Sequence, residues 1–453
     1  MLRLSCGILR VVAALGLLLA CPGLSHAQLA VGGVYIDPEG LLRNSREVPA
    51  AEISKVLKRE PLESPDSSTF ATAAPLRKVS LRRLEAAVAA RYAAGQPLAA
   101  EMQYLAGLQS VKHAFVDQEA GDIILAGPAE GWTALPTGEV VGVKSGHPVL
   151  HLDDLLVCLR FALATAPGDG FIGCSIEPTN AGLQSYAQFV NSLGGIDRGR
   201  VPEIMRGMER AMGPQDVKLY GAPPTSRAAL VMVAADYRLK RIAMGHDPSP
   251  SKKVVSYLDL LSKSTSGAKV PQHRWWFVGG FDNVQHAADE LAWTIDGQGV
   301  AVQTAPTSAT VTNKPSRSAT VFAEHFTRNF NEIAAKIPVF LELKNLVNLA
   351  TVAAIVARAH NAAVEADTKG YRPEQFLDST ACPLATWSAP RQVPSLSNLR
   401  LVRDRHWIFS VSGGVELQVA SLLDPEKLTV ADTALTTLRS QSLAEGKSRW
   451  WWD

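Results

Sequence analysis

Cysteine is scarce in this chain. There are 5 in 453 residues, and Cys6 and Cys21 fall in the opening segment. The remaining Cys158, Cys174 and Cys382 allow at most one bridge, which excludes a disulfide-built scaffold. The pattern puts Cys158 in a helix and Cys174 in the next strand, so they are packed free thiols or a bridged pair; burial of free thiols is the commoner state. An excess of charge is also absent. Lys and Arg number 45 against 43 Asp and Glu, and Arg3 and Arg10 belong to the opening segment, so the rest is balanced. Balance gives no electrostatic case for nucleic acid or an anionic membrane as partner. Catalytic signatures are missing: no Gly-x-Ser-x-Gly, no His-Glu-x-x-His, no phosphate loop, no dinucleotide glycine fingerprint. Ser249-Pro250-Ser251-Lys252 has Ser-x-x-Lys spacing but sits in a Pro-rich loop. No motif implies a cofactor. Beyond the opening segment no apolar run suits a bilayer. Leu346 to Ala357 is too short and is flanked by Glu342, Lys344 and Arg358, which predicts a buried core helix rather than a transmembrane segment.

The opening segment has the marks of export. Arg3 and Arg10 flank a short basic region, Val11 to Ala20 is almost wholly apolar, and Ser25-His26-Ala27 gives a small-x-small cleavage pattern. Residues 1–27 read as a signal peptide, and the mature chain is expected in the periplasm or outside the cell. A second reading takes Leu18-Leu19-Ala20-Cys21 as a lipobox with Cys21 acylated; Pro22 fits that poorly.

The chain is organised around Asp216 to Gly245. A short apolar run, Val217 to Gly221, breaks at Pro223-Pro224-Thr225-Ser226, and an apolar-striped segment runs from Arg227 to Met244. Thr225 or Ser226 can cap the helix start, and Gly245 can close it in the left-handed conformation. Leu230, Val233 and Tyr237 form the stripe, and Asp236 and Lys240 make an i, i+4 ion pair on the polar side.

The fold class is α+β. Residues 28–74 read as an N-terminal strand and linker arm. Residues 75–246 read as an α/β-type domain with a mixed sheet, from strands that alternate with helices. In it Ser80 caps a helix from Leu81, a second helix covers Leu98 to Leu108, and Val140 to Val143 pairs with Val149 to Leu152. Residues 247–273 read as a linker. Residues 274–453 read as an α+β domain: a β meander (275–278, 291–295, 300–304), a helical hairpin divided at Pro338, and a β hairpin (407–411 with 415–420) around Gly413-Gly414. Gly32-Gly33-Val34 echoes Gly413-Gly414-Val415, which suggests that the first and last strands share a sheet.

Several blocks carry a resemblance: Gly33 to Asp37, Leu125 to Trp132, Leu152 to Leu156, Ala235 to Arg241 and Val411 to Val415. In them the chain resembles a family of exported planctomycete proteins defined only as a domain of unknown function. The resemblance implies export and a family-wide fold, and it assigns no site residues.

Two groups of residues could carry chemistry. His147, His151 and Asp153 would share one face of a strand, and two imidazoles with a carboxylate suit a divalent metal; against this, Asp153 is equally a helix cap and Pro148 marks a turn. Trp275, Trp276, Trp450, Trp451 and Trp452 could stack on a glycan or anchor a partner if exposed, or fold back over an apolar groove. The sequence therefore leans away from an enzyme. It points to an exported, non-catalytic envelope protein with an interaction or structural role, whose partner is an envelope protein or a glycan. The alternatives are a metal-dependent hydrolase on His147, His151 and Asp153, and glycan binding through surface Trp.

Overall fold

Two six-stranded mixed sheets carry the helices of this α+β protein. The structure is a computed structural model that describes residues 34–36, 42–44, 70–135, 138–164, 170–194, 198–263, 273–306, 315–402, 405–431, 433–445 and 452. The first sheet runs, edge to edge, Val300–Pro306, His273–Gly279, Ser412–Leu417, Ile172–Pro178, Gln215–Tyr220 and Gln392–Val393. Only the His273–Gly279 and Ser412–Leu417 pair in it is parallel. The second runs Thr429–Val430, Asn283–His286, Ala292–Asp296, His113–Asp117, Asp122–Ala129 and Ala74–Ser80. Each sheet draws strands from both sides of residues 247–273.

Local signals held well. The Leu81–Ala93 helix starts at Ser80, whose Oγ accepts from the Arg83 N–H at 3.1 Å. The Arg227–Ala243 helix starts at Ser226, whose Oγ accepts from the Ala229 N–H at 3.2 Å. Gly245 follows it with φ +67°, the left-handed conformation that ends a helix without a Cβ clash.

Pairing between distant strands departs from the sequence expectation in several places. No β meander forms: His273–Gly279 pairs with Val300–Pro306, while Asn283–His286 and Ala292–Asp296 leave for the second sheet. The C-terminal hairpin also dissolves. Arg405–Ser410 pairs with Ser397–Val402, and Ser412–Leu417 lies between His273–Gly279 and Ile172–Pro178. Gly413-Gly414 is thus mid-strand rather than a turn. A Cβ on Gly413 would lie 1.8 Å from the Trp275 carbonyl oxygen, and one on Gly414 2.0 Å from that of Cys174. Val34–Ile36 pairs with Leu42–Asn44 in a separate ribbon, so the two Gly-Gly strands do not share a sheet. The Leu98 to Leu108 helix shrinks to Ala100–Gln103 and a 3-10 turn, because Leu105 and Ala106 turn left-handed at φ 45° and 56°.

The interior explains a further correction. The Arg227–Ala243 helix packs on the first sheet and against the Leu152–Ala164 and Pro338–Glu365 helices. It is buried nearly all round, so Asp236 and Lys240 form an interior pair at 2.6 Å rather than a surface one. The Pro338–Glu365 helix is long and apolar enough to cross a membrane, with mean hydropathy 1.6, yet 83% of that stretch is buried inside the protein. Asn348 ties it to the segment that leads into the inner strand His113–Asp117 of the second sheet, accepting from the Val111 N–H at 2.7 Å and donating to its carbonyl at 2.9 Å. Cys158, Cys174 and Cys382 are all free and buried.

Candidate functional site

A half-open cavity of about 650 Å³ lies between the C-terminal ends of the Leu152–Ala164 and Pro338–Glu365 helices and the 3-10 turn Val419–Leu423. Its floor is apolar and includes Phe161, Leu163, Ala354, Ala357, Val419 and Leu423. The space exists because the long helix presents the small side chains Ala354 and Ala357 here. Spacings of three and four residues put Ala354, Ala357, Arg358, Asn361 and Glu365 along one stripe of that helix. The wall is polar: Glu290, Arg358, His360, Asn361, Glu365 and Arg372.

One pair of wall charges is already satisfied. Arg358 grips Glu290 with two hydrogen bonds of 2.7 Å, and its guanidinium lies 5.7 Å from the Trp293 ring centre. The Arg358 hydrogen bonds hold the Glu290 carboxyl below its usual range. Burial lowers the pKa of His360, and the positive charge of Arg372 lowers it further, which favours the neutral imidazole. The side chains of Asn361, Glu365 and Arg372 have no hydrogen-bond or ion-pair partner among the described residues. Sequence reasoning missed this site. Its one legible trace is the polar stripe that ends an otherwise apolar helix.

A second convergence is sealed in the core. Arg227, the first residue of its helix, forms ion pairs with Asp154 and with Glu342, and all three side chains are almost fully buried. Trp387 lies over the guanidinium at 5.9 Å. Burial pulls the Arg227 pKa down, but the two carboxylates outweigh it and the group rises above its ordinary value. Burial pushes Glu342 up to about 7, with Arg227 opposing and Asp154 and Glu139 adding to the rise. Asp154 is raised by burial against the pull of Arg227. His151 borders this group, and burial lowers its pKa well below the usual range, with Arg227 adding to the effect. The Tyr104 ring meets the His151 ring edge-on at 5.2 Å, and His151 Nε2 has no hydrogen-bond partner among the described residues. Spacing alone hides this cluster, because its members come from three helices.

The sequence-predicted metal set does not assemble. Residues 149–151 are not a strand: Pro148 makes an isolated bridge to Val141, and the helix begins at Leu152. The shared face therefore does not exist. His147 is exposed in the loop after the 143–145 turn, while His151 is buried. Asp153 accepts from the Ala385 N–H at 3.4 Å and Trp387 Nε1 at 3.5 Å. Among the described residues no three His, Cys, Asp or Glu side chains are grouped to hold a metal ion.

The tryptophans are spread over different surroundings. Trp275 is buried and packs on Tyr257 and Phe322 at 4.8 and 5.7 Å. Trp276 is half-buried with the Arg274 guanidinium 4.9 Å over its ring. Trp452 folds back, bridging to Val79 and meeting the Phe70 ring at 4.2 Å. Trp450 and Trp451 lie outside the described residues. Ser249 to Lys252 remains a loop.

No curated protein and no solved structure matches the chain. A family model does match part of it. Over residues 174–257 the chain is similar to a family described as a protein of unknown function (DUF1598), and that stretch contains the whole Arg227–Ala243 helix with its buried Arg227, Asp236 and Lys240.

Proposed function

We propose that the chain is an exported, non-catalytic binding protein of the cell envelope that receives a small ligand in the cavity between the Leu152–Ala164 and Pro338–Glu365 helices. One observation carries this reading: an apolar floor and a polar wall, in which Asn361, Glu365 and Arg372 have no partner among the described residues, around about 650 Å³. Ligand sites typically enclose ~300–1,000 Å³ and combine an apolar lining with a few polar groups that orient the ligand. Export is supported by Arg3, Arg10, the apolar run to Ala20 and the Ser25-His26-Ala27 pattern. The wall is suited to holding rather than to reacting, since Arg358 and Glu290 neutralise each other.

The test uses the full chain, expressed in a secreting host. Exported protein should begin at Gln28. Native mass spectrometry after exposure to a small-molecule extract should show an added mass that Ala357→Phe removes by filling the floor. The binding reading fails if the added mass survives Ala357→Phe. It also fails if the purified protein turns over an ester, peptide or glycan reporter and a cavity substitution stops the turnover.

A further inference from the structure

Building on that binding reading, we propose that the cavity takes a zwitterionic ligand with an apolar body, in chemical terms a short peptide with free ends. The argument starts from the charges left over once Arg358 and Glu290 have paired. Glu365 and Arg372 both line the cavity, carry opposite charge and stand exposed. They do not pair with each other, and neither has another partner among the described residues. Both charges are therefore left at the cavity for a ligand to meet. A ligand with an ammonium for Glu365 and a carboxylate for Arg372 satisfies both at once.

Other ligand classes fit less well. A simple anion would meet Arg372 but face Glu365, and a simple cation would suffer the reverse. An uncharged apolar molecule would fill the floor and leave both charges as they are. His360 is half-buried at the same wall, and its imidazole can give or take a hydrogen bond. Asn361 carries an amide that can both donate and accept, which suits a peptide backbone. The floor of Phe161, Ala357, Val419 and Leu423 suits an apolar side chain.

The test is calorimetric titration of the full chain with alanyl-leucyl-alanine in four forms: free, N-acetylated, C-amidated and capped at both ends. The free tripeptide should bind at one site, and each cap should weaken binding about tenfold, the scale of a hydrogen bond to a charged group. Arg372→Gln should become indifferent to the C-terminal cap and Glu365→Gln to the N-terminal cap. Ala357→Phe should lose all four forms, and a melting curve matching wild type would confirm that it folds. Equal binding of all four forms overturns the zwitterion inference while leaving the cavity as a binding site. Binding that survives Ala357→Phe, or no binding of the free tripeptide at millimolar concentration, overturns the inference as well. The extract experiment above judges the cavity independently.

Discussion

Arg227 and Glu342 are 115 residues apart in the chain, and their charged groups meet in the interior with 3% and 2% of their side chains exposed. Asp154 completes the contact from a third helix. One cation thus holds the N-terminal end of the Arg227–Ala243 helix to two neighbours. Breaking such a contact on one side leaves charge stranded in a low-dielectric interior.

Arg227→Met should therefore destabilise the fold by about 3–5 kcal/mol. Replacing the two acids as well, with Asp154→Leu and Glu342→Leu, should recover most of that loss, since no uncompensated charge remains. Urea unfolding of the single and triple variants decides the matter. A single variant within about 1 kcal/mol of wild type would mean that the contact adds little.

Glu342 makes stability depend on pH in an unusual direction. Its folded pKa of about 7 lies above the ordinary 4.5. Below 4.5 both states hold the proton. Between 4.5 and 7 the unfolded chain has released it and the folded chain has not, so stability falls as pH rises, by about 1.4 kcal/mol per unit for one proton. Above 7 this contribution levels off. Urea midpoints from pH 4.5 to 8 should show the fall in wild type relative to Glu342→Gln. A difference between the two proteins that stays constant across that range would refute the assignment.

Gly414→Ala should cost about 3 kcal/mol or prevent folding, because its Cβ would meet the Cys174 carbonyl at 2.0 Å within the sheet. Gly194→Ala, with nothing within 4 Å of the added carbon, is the matched control and should leave the melting temperature unchanged. Equal melting temperatures for the two variants would disprove the close approach.

Cys158, Cys174 and Cys382 should resist a thiol reagent in the native protein and all react once it is unfolded. Each is buried, and burial pushes each thiol above its ordinary range, which suppresses the reactive thiolate. Stoichiometric labelling of the native protein within minutes would contradict this placement.

What could be read from the sequence was local. Ser80 and Ser226 cap their helices because a hydroxyl three residues from a free N–H acts over one turn, and Gly245 ends a helix by its own φ. Strand partners depend on residues hundreds apart, and no spacing reports them. Gly413-Gly414 illustrates the failure: the pair carries a turn signature, yet it serves two neighbouring strands that crowd it from either side. Asp236 and Lys240 misled in the same way, since a helical ion pair looks alike in solvent and in a sandwich of helix and sheet. The cavity was hidden for a related reason. Its wall gathers Glu290, His360, Arg372 and the Val419 turn, which only the packing of separate segments brings together.

The strand Ser412–Leu417 lies between Ile172–Pro178 and His273–Gly279. A ribosome delivers those outer two long before it delivers the one that joins them. The first sheet therefore cannot close until Ser412–Leu417 has been made, and every earlier nascent length carries two strand edges awaiting the same late partner. Such edges invite mispairing while the chain grows. Joining the two halves of that sheet thereby waits on a single six-residue strand.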